Sequence, residues 1–109
     1  MAKADHLKGA LELLVLKYLR RGANHGYAIA TAIEQTSEEV LRVEEGSLYP
    51  ALHRMTEAGF LKAEWRMSDA GRRARFYELT AKGKKKLEAD EQRWQHVTAA
   101  VAKVLRAMS

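Results

Sequence analysis

The stretch from Gly46 to Gly83 constrains the fold of this 109-residue chain more than any other part of it. Gly46 or Ser47 opens a helix, because Pro50 is tolerated only in a first turn, where its missing N–H costs little. Gly59 ends that helix at the position of a C-terminal cap. A strand, a turn, a second strand and the start of a long helix follow. This order predicts a winged helix-turn-helix, a mainly α fold with one small β-hairpin.

The predicted hairpin is rich in arginine. Its strands are predicted over Phe60–Trp65 and Arg75–Leu79, with Ser68–Gly71 as the turn. Four arginines fall within ten residues, against one acid: Arg66, Arg72, Arg73 and Arg75 against Asp69. The chain has 19 Lys and Arg against 14 Asp and Glu, and this clustering makes its positive charge local, as contact with phosphates requires. The alternative is a strand edge that charge protects from pairing.

The helix before the hairpin has two distinct sides. Its apolar side comprises Leu48, Ala51, Leu52 and Met55. The opposite side carries Pro50, His53, Arg54 and Glu57, with Ser47 and Tyr49 on the flanks. We expect Arg54 to contact guanine or phosphate and His53 to reach a base edge. Ser47 and Tyr49 can donate to phosphates near the helix N-terminus. An ordinary amphipathic surface helix is the alternative, and the adjacent cationic hairpin favours a helix in the major groove of DNA.

The first predicted helix, Leu7–Arg21, is apolar around most of its circumference. Such a stripe is wider than one core face requires. We therefore expect Leu11 and Leu14 to help cover a second surface, most simply that of a partner subunit.

The remaining elements complete one domain. A second helix is predicted over His25–Glu38 with Asn24 as its cap, and Leu41–Val43 is a candidate strand. We predict a winged helix-turn-helix over residues 1–79 and a C-terminal dimerisation helix over residues 80–109, which together form one compact unit.

The last helix is predicted to begin after the cap Thr80 and to run to about Met108. Its apolar residues follow heptad spacing, interrupted by Asp90: Leu87, Trp94, Val97, Val101, Val104 and Met108. We predict that this seam forms a homodimer; a helix folded back on its own domain is the alternative. Two copies of Trp94 near a two-fold axis would suit a planar aromatic effector between them. The alternative is that Trp94 only packs in the dimer interface and binds no effector.

Other functional classes find little support in the sequence. Cysteine is absent, and the four histidines lie far apart in the sequence, so no metal or cofactor is predicted. No glycine loop for phosphate and no nucleophile with a nearby base is evident, and we predict that the protein is not an enzyme. The only long apolar run is too short to span a bilayer and lacks a cleavage site, which favours a cytoplasmic protein.

Four sequence segments together resemble the PadR family of bacterial transcriptional regulators: Gly26–Ile29, Gly46–Met55, Glu57–Leu61 and Arg75–Gly83. The most specific of them reads GSLYPALHR. The resemblance implies a winged-helix dimer that represses a neighbouring promoter and that, in some members, a small aromatic effector releases. The single C-terminal helix resembles the short subgroup of the family. The resemblance also implies DNA contacts from the following residues: Tyr27, Ser47, Tyr49, Pro50, His53, Arg54, Arg72, Arg73 and Arg75.

The sequence thus predicts a homodimeric repressor that binds a palindromic operator in double-stranded DNA. Its two reading helices would lie about one DNA turn, roughly 34 Å, apart. Two alternatives stay open. One is a winged-helix module that binds an acidic protein, and the other is a non-specific DNA binder of the nucleoid type.

Overall fold

The computed structural model describes residues 10–109, which form four helices and a three-stranded antiparallel sheet. The elements are α1 (Leu11–Leu19), β1 (Asn24–His25), α2 (Gly26–Thr36), α3 (Glu45–Glu57), β2 (Leu61–Met67), β3 (Arg73–Leu79) and α4 (Ala81–Ala107). The predicted winged helix-turn-helix with a long C-terminal helix is confirmed. The predicted start of the first helix, Leu7–Gly9, lies outside the described residues.

The core lies where α1, α2 and α3 meet the base of the hairpin. Its largest fully buried side chains are Val15, Leu16, Leu19, Ile29, Leu48, Leu52, Met55 and Leu87. Burying one side chain of this size contributes about 1.5–3 kcal/mol, so these residues, which include Leu87 of α4, fix how the four helices pack. Because α3 buries the predicted apolar side, its polar side faces outward.

The sheet has the strand order β1-β3-β2, and β2 pairs with β3 from Leu61↔Leu79 to Met67↔Arg73. Leu61, Tyr77 and Leu79 are buried, whereas the distal residues of both strands are exposed. The distal part of β2 and β3, together with the turn 68–72, is called the wing below. The predicted turn is confirmed, since the Gly71 amide donates to the Ser68 carbonyl and Gly71 adopts φ +80°.

The third strand lies elsewhere than predicted. Leu41–Val43 form no strand, because the Val43 amide donates to the Glu34 carboxylate (2.8 Å) and the Leu41 amide to the Ser37 hydroxyl (3.1 Å). Instead, Asn24–His25 pair with Tyr77 and Phe76 of β3.

The cap of α2 also differs from the prediction. His25 is the N-cap, and its Nδ1 accepts the Ala28 amide at 3.3 Å. Asn24 is in β1, and its amide nitrogen donates to the Tyr18 hydroxyl at 3.1 Å. The prediction placed the cap one residue early, because sequence alone does not show that Asn24 joins the sheet.

Pro50 occupies the second turn of α3, not the first, because the helix begins at Glu45. The N–H that proline lacks would have bonded to the carbonyl of Gly46, an exposed residue. The helix therefore continues past Pro50. Gly59, at φ +87°, ends it as predicted.

Thr80 caps α4 as predicted, since its hydroxyl accepts the Gly83 amide at 3.0 Å. The first half of α4 packs on the domain, where Leu87 is buried and Glu91 pairs with Lys17 of α1 at 3.1 Å. Beyond Glu91 nearly every residue is exposed, and the molecule reaches 53 Å along its longest axis.

Candidate nucleic-acid interface

The outward side of α3 forms the first part of the candidate interface. Pro50, His53 and Glu57 are exposed on this side, as predicted, and Ser47 is half-buried at one flank. Glu44 and Glu45 are exposed at the N-terminus of α3 and add negative charge there. The two carboxylates would repel an anion at that end, so a phosphate contact there would need a neutral donor such as Ser47.

Tyr49 lies on the other flank of α3, against the first residue of α2. A β-carbon at Gly26 would lie 2.7 Å from Cε1 of Tyr49, so only glycine permits this contact. The Tyr49 side chain is still 43% exposed, and Tyr27 beside it in α2 is 74% exposed. Burial raises the pKa of Tyr49, and the charges of Glu45 and Tyr77 raise it further. Tyr49 therefore stays protonated and able to donate at neutral pH.

Arg54 is engaged within the chain. Its Nε and Nη2 donate to Oε2 of Glu12 in α1, at 3.3 and 3.0 Å. The guanidinium is therefore held against Glu12 of α1. A contact from Arg54 to guanine or phosphate requires this exposed pair to break, which costs under about 1 kcal/mol.

The wing separates its arginines into two environments. Arg66 lies 2.6 Å from a carboxylate oxygen of Glu64 and 3.8 Å from one of Glu78. Among residues 10–109, no carboxylate lies within 4 Å of the charged groups of Arg72, Arg73 or Arg75. Within that part of the chain, the three predicted contact arginines therefore have no carboxylate partner, whereas Arg66 pairs with two carboxylates.

Trp65 contacts two arginines of the wing, although its sequence position predicts only a strand residue. The guanidinium carbons of Arg73 and Arg75 lie 5.1 and 5.8 Å from the centre of its ring. The ring holds both cations on one face of the hairpin by cation–π attraction. The alternation of strand residues could have indicated this role, because it places Ala63, Trp65 and Met67 on one face of β2, opposite Arg73 and Arg75 of β3.

The predicted dimer residues fall into two groups. Leu11 and Leu87 are 5% and 1% exposed and belong to the core of their own chain. Both side chains are therefore buried by contacts within their own chain. The exposed part of the predicted seam begins at Trp94.

The second group is accessible. Leu14 lines an apolar groove of about 570 Å³ between α1 and α2, together with Tyr18, Ile33 and Leu41. The exposed seam of α4 consists of Trp94, Val97, Val101 and Val104, each between 43% and 51% exposed.

Within residues 10–109, no group of three or more His, Asp and Glu side chains is placed to hold a metal ion. In the same part of the chain, no helix is both long and apolar enough to cross a membrane.

Comparisons with known proteins agree with this geometry. The model of the transcriptional regulator PadR-like family matches residues 15–89. A PadR-like transcriptional regulator from Bacillus cereus is 31% identical, and its crystal structure superimposes with a TM-score of 0.80 over 93% of this chain and 96% of that one. Transcriptional regulator Rv3488 of Mycobacterium tuberculosis is 35% identical over 83 residues, which are 76% of this chain and 74% of that protein. A transcriptional regulator from Clostridium thermocellum, 24% identical, shares the fold with a TM-score of 0.81 over 91% of this chain and 96% of that one.

Proposed function

The chain belongs to the PadR-like family of transcriptional regulators, and we propose that it is a homodimeric, sequence-specific repressor of a nearby promoter. The observation that carries this proposal is the pairing of two surfaces. One is the exposed polar side of α3, and the other is the adjacent wing with its uncompensated arginines. The first has the size and polarity to enter a major groove, and the second has the charge to bind phosphates.

The contacts divide by chemistry. Arg72, Arg73 and Arg75 bind phosphates, because a guanidinium with no carboxylate partner among residues 10–109 gains most from a polyanion. His53 and Pro50 face the bases from the outermost line of α3. Three residues on the flanks add further contacts: the hydroxyls of Tyr27, Ser47 and Tyr49 donate hydrogen bonds to phosphate oxygens of the DNA backbone. Arg54 joins them once it leaves Glu12.

Two apolar surfaces that residues 10–109 leave exposed support the homodimer. One chain exposes the seam of α4 and, separately, the groove between α1 and α2 that Leu14 and Ile33 line. Exposed apolar surfaces of this kind mark interaction sites. The seam of one subunit can pack against the groove of the other, a contact that two-fold symmetry forms twice, or the two seams can meet once at the axis. The dimer then presents two α3 helices to a palindromic operator.

An effector site is proposed at Trp94. The indole is 43% exposed in the single chain and lies at the start of the exposed seam. Two indoles facing each other across a two-fold axis would stack a planar aromatic compound between them. A compound bound there would alter the angle between the two α4 helices and so release the operator.

The experiment that tests the function is selection of genomic DNA fragments by purified protein at near-physiological salt. An inverted repeat recovered upstream of a gene, with strong preference over random duplex, is the expected result. Recovery without any shared sequence would instead indicate non-specific DNA binding. No recovery in either the presence or the absence of aromatic compounds would favour a protein-binding module.

A further inference from the structure

The end of α3 is bonded directly to the beginning of α4. Three consecutive carbonyls, those of Ala58, Gly59 and Phe60, follow the last turn of α3. Lys82 Nζ donates to the Ala58 carbonyl at 2.7 Å, and Thr80 Oγ1 donates to that of Gly59 at 2.7 Å. The Thr80 amide donates to the Phe60 carbonyl at 3.1 Å. The carbonyl of the C-cap Ala58 and the next two carbonyls along the chain are therefore all bound by residues at the start of α4.

The same place is closely packed. A β-carbon at Gly83 would overlap the Phe60 carbonyl oxygen, so the backbone of α4 approaches that carbonyl as nearly as glycine allows. The ammonium groups of Lys82 and Lys86 lie 5.1 and 5.2 Å from the centre of the Phe60 ring. Ala58, Gly59, Phe60, Thr80, Lys82 and Gly83 are called the junction below.

The junction joins three parts of the molecule. Leu61 and Leu79, the first residue pair of the hairpin, lie immediately inside it. The end of α3, the base of the wing and the start of α4 therefore form one bonded unit. A rotation of α4 must either move α3 and the wing together or break these hydrogen bonds.

We propose that the junction couples the orientation of α4 to the position of α3 on DNA, with Thr80 and Lys82 as positioning residues. The inference rests on the proposed homodimer, in which α4 holds the partner. Because of the junction, the packing of the two α4 helices determines the distance between the two α3 helices. Discrimination between operator spacings and the response to a bound effector therefore both depend on the junction.

The variant Lys82→Met tests the coupling, since it keeps an unbranched four-atom stem and removes the ammonium group that bonds to Ala58. Lys85→Met is the matched control, because Lys85 is exposed on the next turn of α4 and the variant loses the same charge. The chain has no cysteine, so His53→Cys provides a single site on α3 for a spin label. Pulsed electron paramagnetic resonance then reports the distance between the two α3 helices of a dimer.

We expect one narrow distance distribution for the otherwise unaltered protein and for Lys85→Met, and a broader one for Lys82→Met. Without the label, Lys82→Met should reduce the preference for the selected operator over spacers one base pair longer or shorter. A loss of about threefold to tenfold corresponds to one charge-assisted hydrogen bond at an exposed site. Lys82→Arg, which keeps a donor, should remain near the original preference.

An equally narrow distribution in Lys82→Met, or an equal loss of affinity at every spacer length, would overturn the coupling. The second result would make Lys82 an ordinary phosphate contact. If the labelled protein with an unaltered junction gives no measurable distance between two labels, the proposed dimer itself is overturned. Failure of the coupling and failure of the proposed function therefore give different results.

Discussion

The ring of Tyr49 covers Gly26 so closely that a single added methyl group would meet its Cε1 and hydroxyl at 2.7 and 2.9 Å. This contact links the start of α2 to the flank of α3. It therefore restricts the position of the Tyr49 hydroxyl, for which we propose a contact with the DNA backbone.

Gly26→Ala should therefore reduce the free energy of operator binding by more than it reduces the free energy of unfolding. The clashing atoms belong to the free end of a side chain, so Tyr49 can rotate away at a cost of about 0.5–1.5 kcal/mol in the free energy of unfolding. Urea denaturation and operator titration measure the two effects. Gly46→Ala is the control for stability, because no atom lies within 4 Å of its β-carbon position and alanine favours the helix. Unchanged operator affinity in Gly26→Ala would show that the Tyr49 position does not matter for DNA.

Replacing Arg72 and Arg73 together with alanine should weaken binding to every duplex. For each phosphate that the wing no longer neutralises, the dependence of log affinity on log salt should flatten by about 0.9. The measurement is a salt titration on operator and random DNA. Arg66→Ala, in the same hairpin, should change the slope less, because Glu64 already neutralises Arg66. An unchanged slope in the double variant would place the wing away from the phosphates.

Glu12→Gln tests whether Arg54 leaves α1 to reach DNA. Removing the carboxylate charge frees the guanidinium, so operator affinity should rise while the free energy of unfolding falls by less than about 1 kcal/mol. Arg54→Ala should cost about 1–3 kcal/mol at particular base pairs if Arg54 reads guanine. Competition assays with single-base operator variants measure both. Should Glu12→Gln leave the affinity unaltered and Arg54→Ala weaken all sequences equally, Arg54 is at most a backbone contact.

Trp94→Asp should convert the dimer to monomers in sedimentation experiments. A tryptophan buried in an interface often contributes about 2 kcal/mol or more to association, and aspartate adds a desolvation cost. Gln95→Asp supplies the control, because it introduces the same charge at the next exposed position of α4. A dimer that survives Trp94→Asp would locate the interface outside the seam.

Asp90 should make the stability of α4 depend on acidic pH. Burial alone would raise its pKa, but hydrogen bonds from Lys86 and Arg93 and their charges outweigh it and lower the pKa. A lowered pKa means that the stabilisation is present above the pKa of the unfolded carboxyl and is lost as the pH falls through the folded value. Asp90→Asn should therefore be less stable by up to about 1 kcal/mol at neutral pH. Thermal unfolding should show this difference vanishing well below pH ~4. A difference that persists in acid would assign the effect to packing.

Much of the fold followed from local sequence. The cap at Thr80, the helix end at Gly59 and the turn at Ser68–Gly71 were all predicted, because each depends on backbone preferences within a few residues. The apolar side of α3 was predicted for the same reason, since helical periodicity alone places Leu48 and Leu52 together.

The tertiary structure decided which residues are free to act. Local sequence could not show that Arg54 pairs with Glu12, 42 positions away, or that Leu87 fills the core of its own chain. Nor could it show that Lys82 bonds to the Ala58 carbonyl rather than facing a phosphate. The physical reason is common to all three. Periodicity and capping act over a few residues, whereas the partner of a long side chain is set by which elements packing brings within about 3 Å of its end.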